Sequence, residues 1–255
     1  MRKVFLLSIV ALAMASCQKA AQPPTPALTD AKVEANWSST AQYATWNAGN
    51  GYTIENDIWG SGAGPQTVWA NTYSNWGVWS NQPNTNGVKS YPNDDYGVNK
   101  TFSSLSTVSS SFNVTVPGSG TFESTYDIWC SNYAYEIMIW ENWRGGAKPI
   151  AASYDANGNA VASYTNVQPT SGGPIYTVYK GSNGSNVVYS FLNNSQTTSG
   201  TVNIKDILNY IQGKKNTNGW GASFSTLDKV QFGFEITSSS GGLNFQANSY
   251  SATVN

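Results

Sequence analysis

Residues 135–140 read Tyr135-Glu136-Ile137-Met138-Ile139-Trp140, a run that alternates as a β-strand does. One face carries Tyr135, Ile137 and Ile139 and belongs to a core. The other carries Glu136, Met138 and Trp140. An unpartnered carboxylate is costly to bury, and large residues such as Met138 and Trp140 do not suit a merely solvated face. A concave, aromatic-lined surface accounts for both.

Two further runs repeat the pattern. In Lys229–Ile236 the residues Val230, Phe232, Phe234 and Ile236 oppose Gln231, Gly233 and Glu235, so the acid again shares a face with polar and small neighbours. In Tyr126–Trp129, Tyr126 and Ile128 oppose Asp127 and Trp129. The chain has only six glutamates, and two of them are embedded in apolar runs in this way. Three strands of one sheet would then offer Glu136, Glu235 and Asp127 to a common cleft.

Outward from these runs, short β-branched and aromatic stretches alternate with Gly, Asn, Pro and Ser clusters. Strands are expected at Tyr52–Trp59, Thr67–Ala70, Ser74–Ser80, Val108–Val116, Gly120–Cys130, Ile150–Tyr154, Tyr176–Lys180, Asn186–Phe191 and Gly242–Val254. The pattern predicts an all-β sandwich of two packed antiparallel sheets. One helix interrupts it: Asn203 caps, Asp206 completes a near capping box, Ile204, Ile207, Leu208 and Ile211 fall at helical spacing, and Gly213 ends it. It is expected to pack on the outside of a sheet.

Composition narrows the chemistry. At 255 residues and 40% hydrophobic, the chain suits one large domain. Only 11% of residues are charged and the formal net charge is -1, so there is no basic stripe for nucleic acid. The absence of histidine excludes histidine-based triads, histidine-ligated metals and histidine proton shuttles, and two distant cysteines exclude a cysteine-only metal site. Acid–base work falls to carboxylates, tyrosines or lysines. Ten Trp and 15 Tyr among many Asn, Ser and Thr suit a neutral sugar, whose C–H faces stack on rings and whose hydroxyls bond to amides. Two opposed carboxyls are what glycosidic cleavage needs. In the retaining mechanism they stand roughly 5–5.5 Å apart, one as nucleophile and one as acid and then base, and the residues alone do not say which is which.

The amino end reads as a leader. Met1-Arg2-Lys3 is positive, Val4 to Ala15 is apolar, and Ala15-Ser16-Cys17 is a small-residue cleavage site. Residues 1–16 are expected to be a signal peptide, 17–32 a tether rich in Ala, Pro and Gln, and 33–255 the folded domain. Met14-Ala15-Ser16-Cys17 resembles the bacterial lipoprotein box, which implies that Cys17 is lipidated and anchors the protein to a membrane. Gln18 is not the aspartate that retains some lipoproteins at the inner membrane, so display at the outer membrane or cell surface is expected. Cys130 is then left unpaired, as a small buried residue.

The three acidic strands together resemble glycoside hydrolase family 12, retaining endo-β-1,4-glucanases and xyloglucanases with a β-jelly-roll fold, over about Tyr52 to Val254. Tyr135-Glu136-Ile137-Met138-Ile139-Trp140 is similar to that family's nucleophile strand, which implies Glu136 as nucleophile. Gln231-Phe232-Gly233-Phe234-Glu235 resembles the acid/base strand and implies that role for Glu235. Tyr126-Asp127-Ile128-Trp129 resembles the segment whose aspartate hydrogen-bonds the nucleophile. Asn56-Asp57-Ile58-Trp59-Gly60 is similar to the family's Asn-Asn-Leu-Trp-Gly segment, implying that Trp59 stacks on a sugar; Asp57 stands where the family has asparagine. Met138, Trp140 and Trp129 are expected to line the cleft.

The resemblance implies a β-glucan partner, no cofactor and no metal, and nothing requires more than a monomer. Lys89 and Asp94-Asp95 read equally as surface loop or substrate contact, Trp69, Trp76 and Trp79 as sugar platforms or core, and Glu141-Asn142-Trp143-Arg144 as a segment shaping substrate choice. Two other readings stand beside this one. One is a noncatalytic carbohydrate-binding sandwich, which needs no acid pair; the other is a xylanase of a related jelly-roll family.

Overall fold

The computed structural model describes residues 35–255, so the signal peptide, the tether and Cys17 lie outside the described residues. Among these residues fifteen strands, one α-helix and a short 3-10 turn (Phe102–Ser104) follow in chain order. The first seven strands are β1 (Trp37–Ser39), β2 (Thr45–Gly49), β3 (Tyr52–Glu55), β4 (Gln66–Thr72), β5 (Asn75–Ser80), β6 (Asn93–Thr101) and β7 (Val108–Thr115). Next come β8 (Thr121–Cys130), β9 (Tyr135–Arg144), β10 (Tyr164–Val167), β11 (Tyr176–Ser182), β12 (Val187–Asn193) and β13 (Ser199–Val202). Helix α1 (Ile204–Gly213) precedes the long strands β14 (Thr226–Ser238) and β15 (Leu243–Val254).

Two sheets result. The six-stranded one runs β1-β4-β5-β15-β7-β13 and the nine-stranded one β10-β11-β12-β9-β8-β14-β6-β3-β2. The acidic strands β9, β8 and β14 are consecutive neighbours in the larger sheet, which is what a common cleft requires. Pairing is antiparallel with one exception. β12 runs parallel to β9, Val187 opposite Tyr135 through Leu192 opposite Trp140, because the chain detours through β10 and β11 before returning beside β9.

The predicted parity sorts the two faces. Ile128, Ile137, Ile139, Val230, Phe232, Phe234 and Ile236 are wholly buried between the sheets. They meet the inner face of the smaller sheet: Phe232 stacks on Tyr250 at 5.4 Å and Phe234 packs on Trp76 at 5.6 Å. Burying each such ring is worth about 1.5–3 kcal/mol. Cys130 is buried in the same core and unpaired.

Asn203 caps the helix, its Oδ1 accepting from the Asp206 amide at 3.3 Å while its Nδ2 donates to the Asp206 carboxylate at 2.8 Å. Ile204, Ile207, Leu208 and Ile211 join the main core, and Tyr210 meets Phe191 of β12 edge-on at 6.2 Å. The helix therefore extends the smaller sheet's layer over the inner face of the larger one.

Several local expectations change. Ile150–Tyr154 is a loop touched by one isolated bridge, Tyr154 to Ala160; it follows Gly145, Gly146 and Pro149, and Ile150 packs against the Met138 cluster. Asp94 and Asp95 are not loop residues but part of β6, held by the ladders to β3 and β14. Trp76 is core, whereas Trp69 and Trp79 lie on the smaller sheet, away from the acidic strands.

Candidate active site

A cavity of about 440 Å³ opens on the outer face of the nine-stranded sheet. Its wall includes all eight residues nominated from sequence: Asp57, Trp59, Asp127, Trp129, Glu136, Met138, Trp140 and Glu235. Tyr91, Lys148, Ile150, Asn183 and Gln231 complete it together with Val88. Alternation explains the strand contributions: β9 supplies Glu136, Met138 and Trp140, β8 supplies Asp127 and Trp129, and β14 supplies Gln231 and Glu235.

Close approach of the backbone shapes the acid end. Gly233 lies between Gln231 and Glu235 on the cleft face, and a Cβ there would fall 2.2 Å from the Pro92 carbonyl oxygen. Only glycine lets the segment Tyr91–Asn93 press against β14. That segment delivers Tyr91, whose hydroxyl donates to the Thr125 carbonyl at 3.1 Å. The preceding residues Lys89 and Ser90 bridge β14 to the Trp59 loop: the Lys89 amide donates to Ile236 and its carbonyl accepts from Trp59 and Gly60. Lys89 is buried, with its ammonium on the Asn86 carbonyl at 2.7 Å, so it is structural and neither a surface loop residue nor a substrate contact.

Trp59 is 46% exposed, a ring offered to solvent at the cavity edge. Asp57 adopts a left-handed φ of 32° in the same loop, and burial raises its carboxyl to about 6 against the opposing pull of Lys229. On the facing wall Trp129 Nε1 donates to Gln231 Oε1 at 2.8 Å, Gln231 Nε2 donates to Asp95 at 3.3 Å, and Lys229 pairs with the same Asp95 oxygen. Asp95 thus anchors a relay that fixes the orientation of the Trp129 indole. Asp94, on the opposite side of β6, points into the core.

The carboxyls form one electrostatic unit. Burial raises Glu136 to about 7, opposed by a hydrogen bond from Asn183 Nδ2 to Oε2 at 2.9 Å. Burial likewise raises Glu235 to about 7; a hydrogen bond from Glu123 lowers it and the charge of Glu136 raises it further. Asp127 is pushed well above the carboxylate range by burial, then by Glu136 and Glu235. Elevation is therefore shared by both glutamates rather than confined to one. Ionising either opposes ionising the other, so the pair passes through a state with one carboxylate and one acid.

Glu141 departs from expectation. It is the extra residue where the β8–β9 register shifts, so it turns inward, buried against Asn193 at 2.7 Å and beside Tyr176, and does not face substrate. The same bulge puts Trp143 on the side of Trp140, ring centroids 6.2 Å apart. Glu123 and Asn183 are the residues that sequence reasoning missed. Glu123 was legible, being in phase with Asp127 along β8; Asn183 was not, since Ser182-Asn183-Gly184 reads only as a turn.

The family model for glycosyl hydrolase family 12 matches residues 50–255. The chain is 33% identical over 194 residues to a xyloglucan-specific endo-beta-1,4-glucanase A of Emericella nidulans, covering 69% of this chain and 77% of that one. Among solved structures, the xyloglucanase domain of NopAA, a type three effector from Sinorhizobium fredii in complex with cellobiose, is 41% identical with a TM-score of 0.79, covering 86% of this chain and 99% of that one. A family 12 xyloglucanase from Bacillus licheniformis is 26% identical with a TM-score of 0.69, covering 86% and 100%.

Proposed function

This chain belongs to glycosyl hydrolase family 12, and from that premise we propose that it is an endo-acting β-1,4-glucanase that cleaves xyloglucan by double displacement. The observation that carries this reading is the convergence of Glu136, Glu235 and Asp127 in one cavity walled by Trp59, Trp129 and Trp140. A noncatalytic binding sandwich has no use for that cluster, and membership of this family sets aside the xylanase reading. Xyloglucan is favoured over cellulose and mixed-linkage glucan by the substrate named for the Emericella enzyme and by the xyloglucanases of Sinorhizobium and Bacillus.

In the first step Glu136, as carboxylate, attacks the anomeric carbon while Glu235 gives its proton to the departing glucan oxygen; the glycosidic bond breaks and a glycosyl ester forms on Glu136. In the second step Glu235, now a carboxylate, takes a proton from water, whose oxygen displaces Glu136. Asp127, kept protonated by burial beside two other carboxyls, presents an O–H rather than another charge to the nucleophile. The indole of Trp59 stacks on a donor-side sugar, and Met138, Trp140 and Trp129 bound the reacting ring.

Parallel assays on xyloglucan, carboxymethyl cellulose, lichenan and xylan, with the anomer first released read by NMR, test the reading. Xyloglucan is expected to be hydrolysed fastest, with β-anomer released first and no reducing ends from Glu136→Gln. Dominant xylanase activity or initial α-anomer overturns it.

The reading extends to location. Acylation of Cys17 would tether the catalytic domain to the outer membrane or cell surface, through the Ala-, Pro- and Gln-rich stretch that follows. Cell fractionation is expected to find the chain with membranes and its Cys17→Ala variant in the soluble fraction. Variant protein retained on membranes rules the anchor out.

A further inference from the structure

Glu123 stands directly opposite Glu235 in the β8–β14 ladder, on the same face of the sheet, so that their carboxyls act directly on each other, and the buried Glu123 Oε2 has no other hydrogen-bond partner among the described residues. Glu123 is 2% exposed and, although it shares the cleft face of β8 with Asp127, it is not one of the residues that line the cavity. Two adjoining carboxyls share a hydrogen bond only if one holds a proton. The more deeply enclosed member is the one that keeps it.

The groups around the pair define its charge. On β8, Asp127 shares the face of Glu123; from β9 comes Glu136; Tyr91 reaches Glu235 from the segment before β6, and Asp57 acts on Asp127. The cation on the cavity wall is Lys148, whose ammonium is bonded to the Gly158 carbonyl at 2.7 Å. Among the described residues, the influences on Glu123 all act to keep it protonated: burial first, then Glu235 and Asp127.

We propose that Glu123 is a positioning residue for Glu235, its O–H holding the acid/base in place and supporting it as a carboxylate while the glycosyl ester waits for water. The inference rests on the assignment of Glu235 as acid/base. Glu123 keeps its own proton throughout. The proton Glu235 loses goes to the leaving-group oxygen, and the one it regains comes from the attacking water, so the cycle closes without net transfer from Glu123. The role belongs mainly to the second step, because only there is Glu235 charged and in need of a donor.

The test compares Glu123→Gln, which keeps shape and a donor, with Glu123→Leu, which keeps volume and removes it. An aryl β-cellobioside with an activated leaving group serves as substrate, because its first step needs little acid assistance. Glu123→Leu is expected to lose about 10- to 100-fold in kcat, the worth of a hydrogen bond to a charged group. Its kcat/KM should stay near the parent value, and the alkaline limb of kcat/KM on polysaccharide should move to higher pH because a group that lowers Glu235 is gone. Glu123→Gln should restore kcat and the limb. Equal losses in kcat and kcat/KM with an unmoved limb, or a Glu123→Gln variant that folds but is as slow as Glu123→Leu, overturn the proposal. Glu235→Ala is assayed beside them: if it retains full activity on xyloglucan, the acid/base assignment fails, a result separate from either outcome at Glu123.

Discussion

Asn183, the first residue of the turn joining β11 to β12, donates its side-chain amide to Glu136 Oε2 at 2.9 Å. The parallel pairing of β12 with β9 makes this reach possible, because Val187 enters the sheet beside Tyr135 and leaves the preceding turn over Glu136. The bond favours the carboxylate that attack requires. Asn183→Ala is expected to raise the pKa of Glu136, so the acid limb of kcat/KM moves up by about one pH unit, from the worth of a charge-assisted bond. A pH–rate profile checks it; an unmoved acid limb shows that Asn183 does not support the nucleophile.

The alkaline limb belongs to Glu235, which must be protonated to act as acid. With its carboxyl raised to about 7 by burial, kcat/KM on xyloglucan is expected to fall as pH rises through that value. Glu235→Ala should abolish the limb, losing about 10²–10⁴-fold on polysaccharide, and should lose far less in the first step on an activated aryl glycoside. Steady-state and burst kinetics on both substrates measure this. Equal losses on the two would assign the proton donor elsewhere.

Trp129 is held at its indole nitrogen by Gln231, which Asp95 and Lys229 hold in turn. Gln231→Leu frees the ring without touching the carboxyl groups of Glu136 or Glu235. Because ring stacking binds ground and transition states alike, KM is expected to rise about 3- to 10-fold with kcat nearly constant. A drop in kcat at unchanged KM would contradict a binding role for Trp129.

Asp94 stands in register with Ile54 and Phe232, on the core face, and burial lifts its carboxyl to about 9. Its two oxygens have no hydrogen-bond partner among the described residues. The folded chain therefore binds a proton that the unfolded chain releases above pH about 4. Stability falls as pH climbs from there towards 9, by an amount on the order of a few kcal/mol. Asp94→Asn, always neutral, should flatten that decline in thermal melts between pH 5 and 9. A variant whose melting temperature drops with pH as steeply as the parent's would place the dependence on other groups.

The sequence carried the faces of the strands. Period-two alternation is enforced wherever one side of a strand is buried, so Glu136, Glu235 and Asp127 were placed on the cleft side from local pattern alone, and Phe232 and Ile137 on the core side. Asn203 and the spacing of Ile204, Ile207, Leu208 and Ile211 likewise announced the helix, since capping and amphipathicity are local.

Strand partners were a different matter. The parallel join of β12 to β9, the bulge that turns Glu141 inward, and the recruitment of Asp94 and Asp95 into β6 arise from ladders between residues far apart in the chain, which no local pattern encodes. Glu235 faces Glu123 and Glu136 faces Trp129 at opposite ends of the same stretch of β8. They nevertheless line one cavity, and the irregular pairing at Ser124 and Thr125, of the kind that bends and twists a strand, lies between them. Local chemistry chose which side chains face the cleft; the tertiary fold decided which of them touch, because hydrogen-bond register and sheet curvature are properties of paired strands and not of any one.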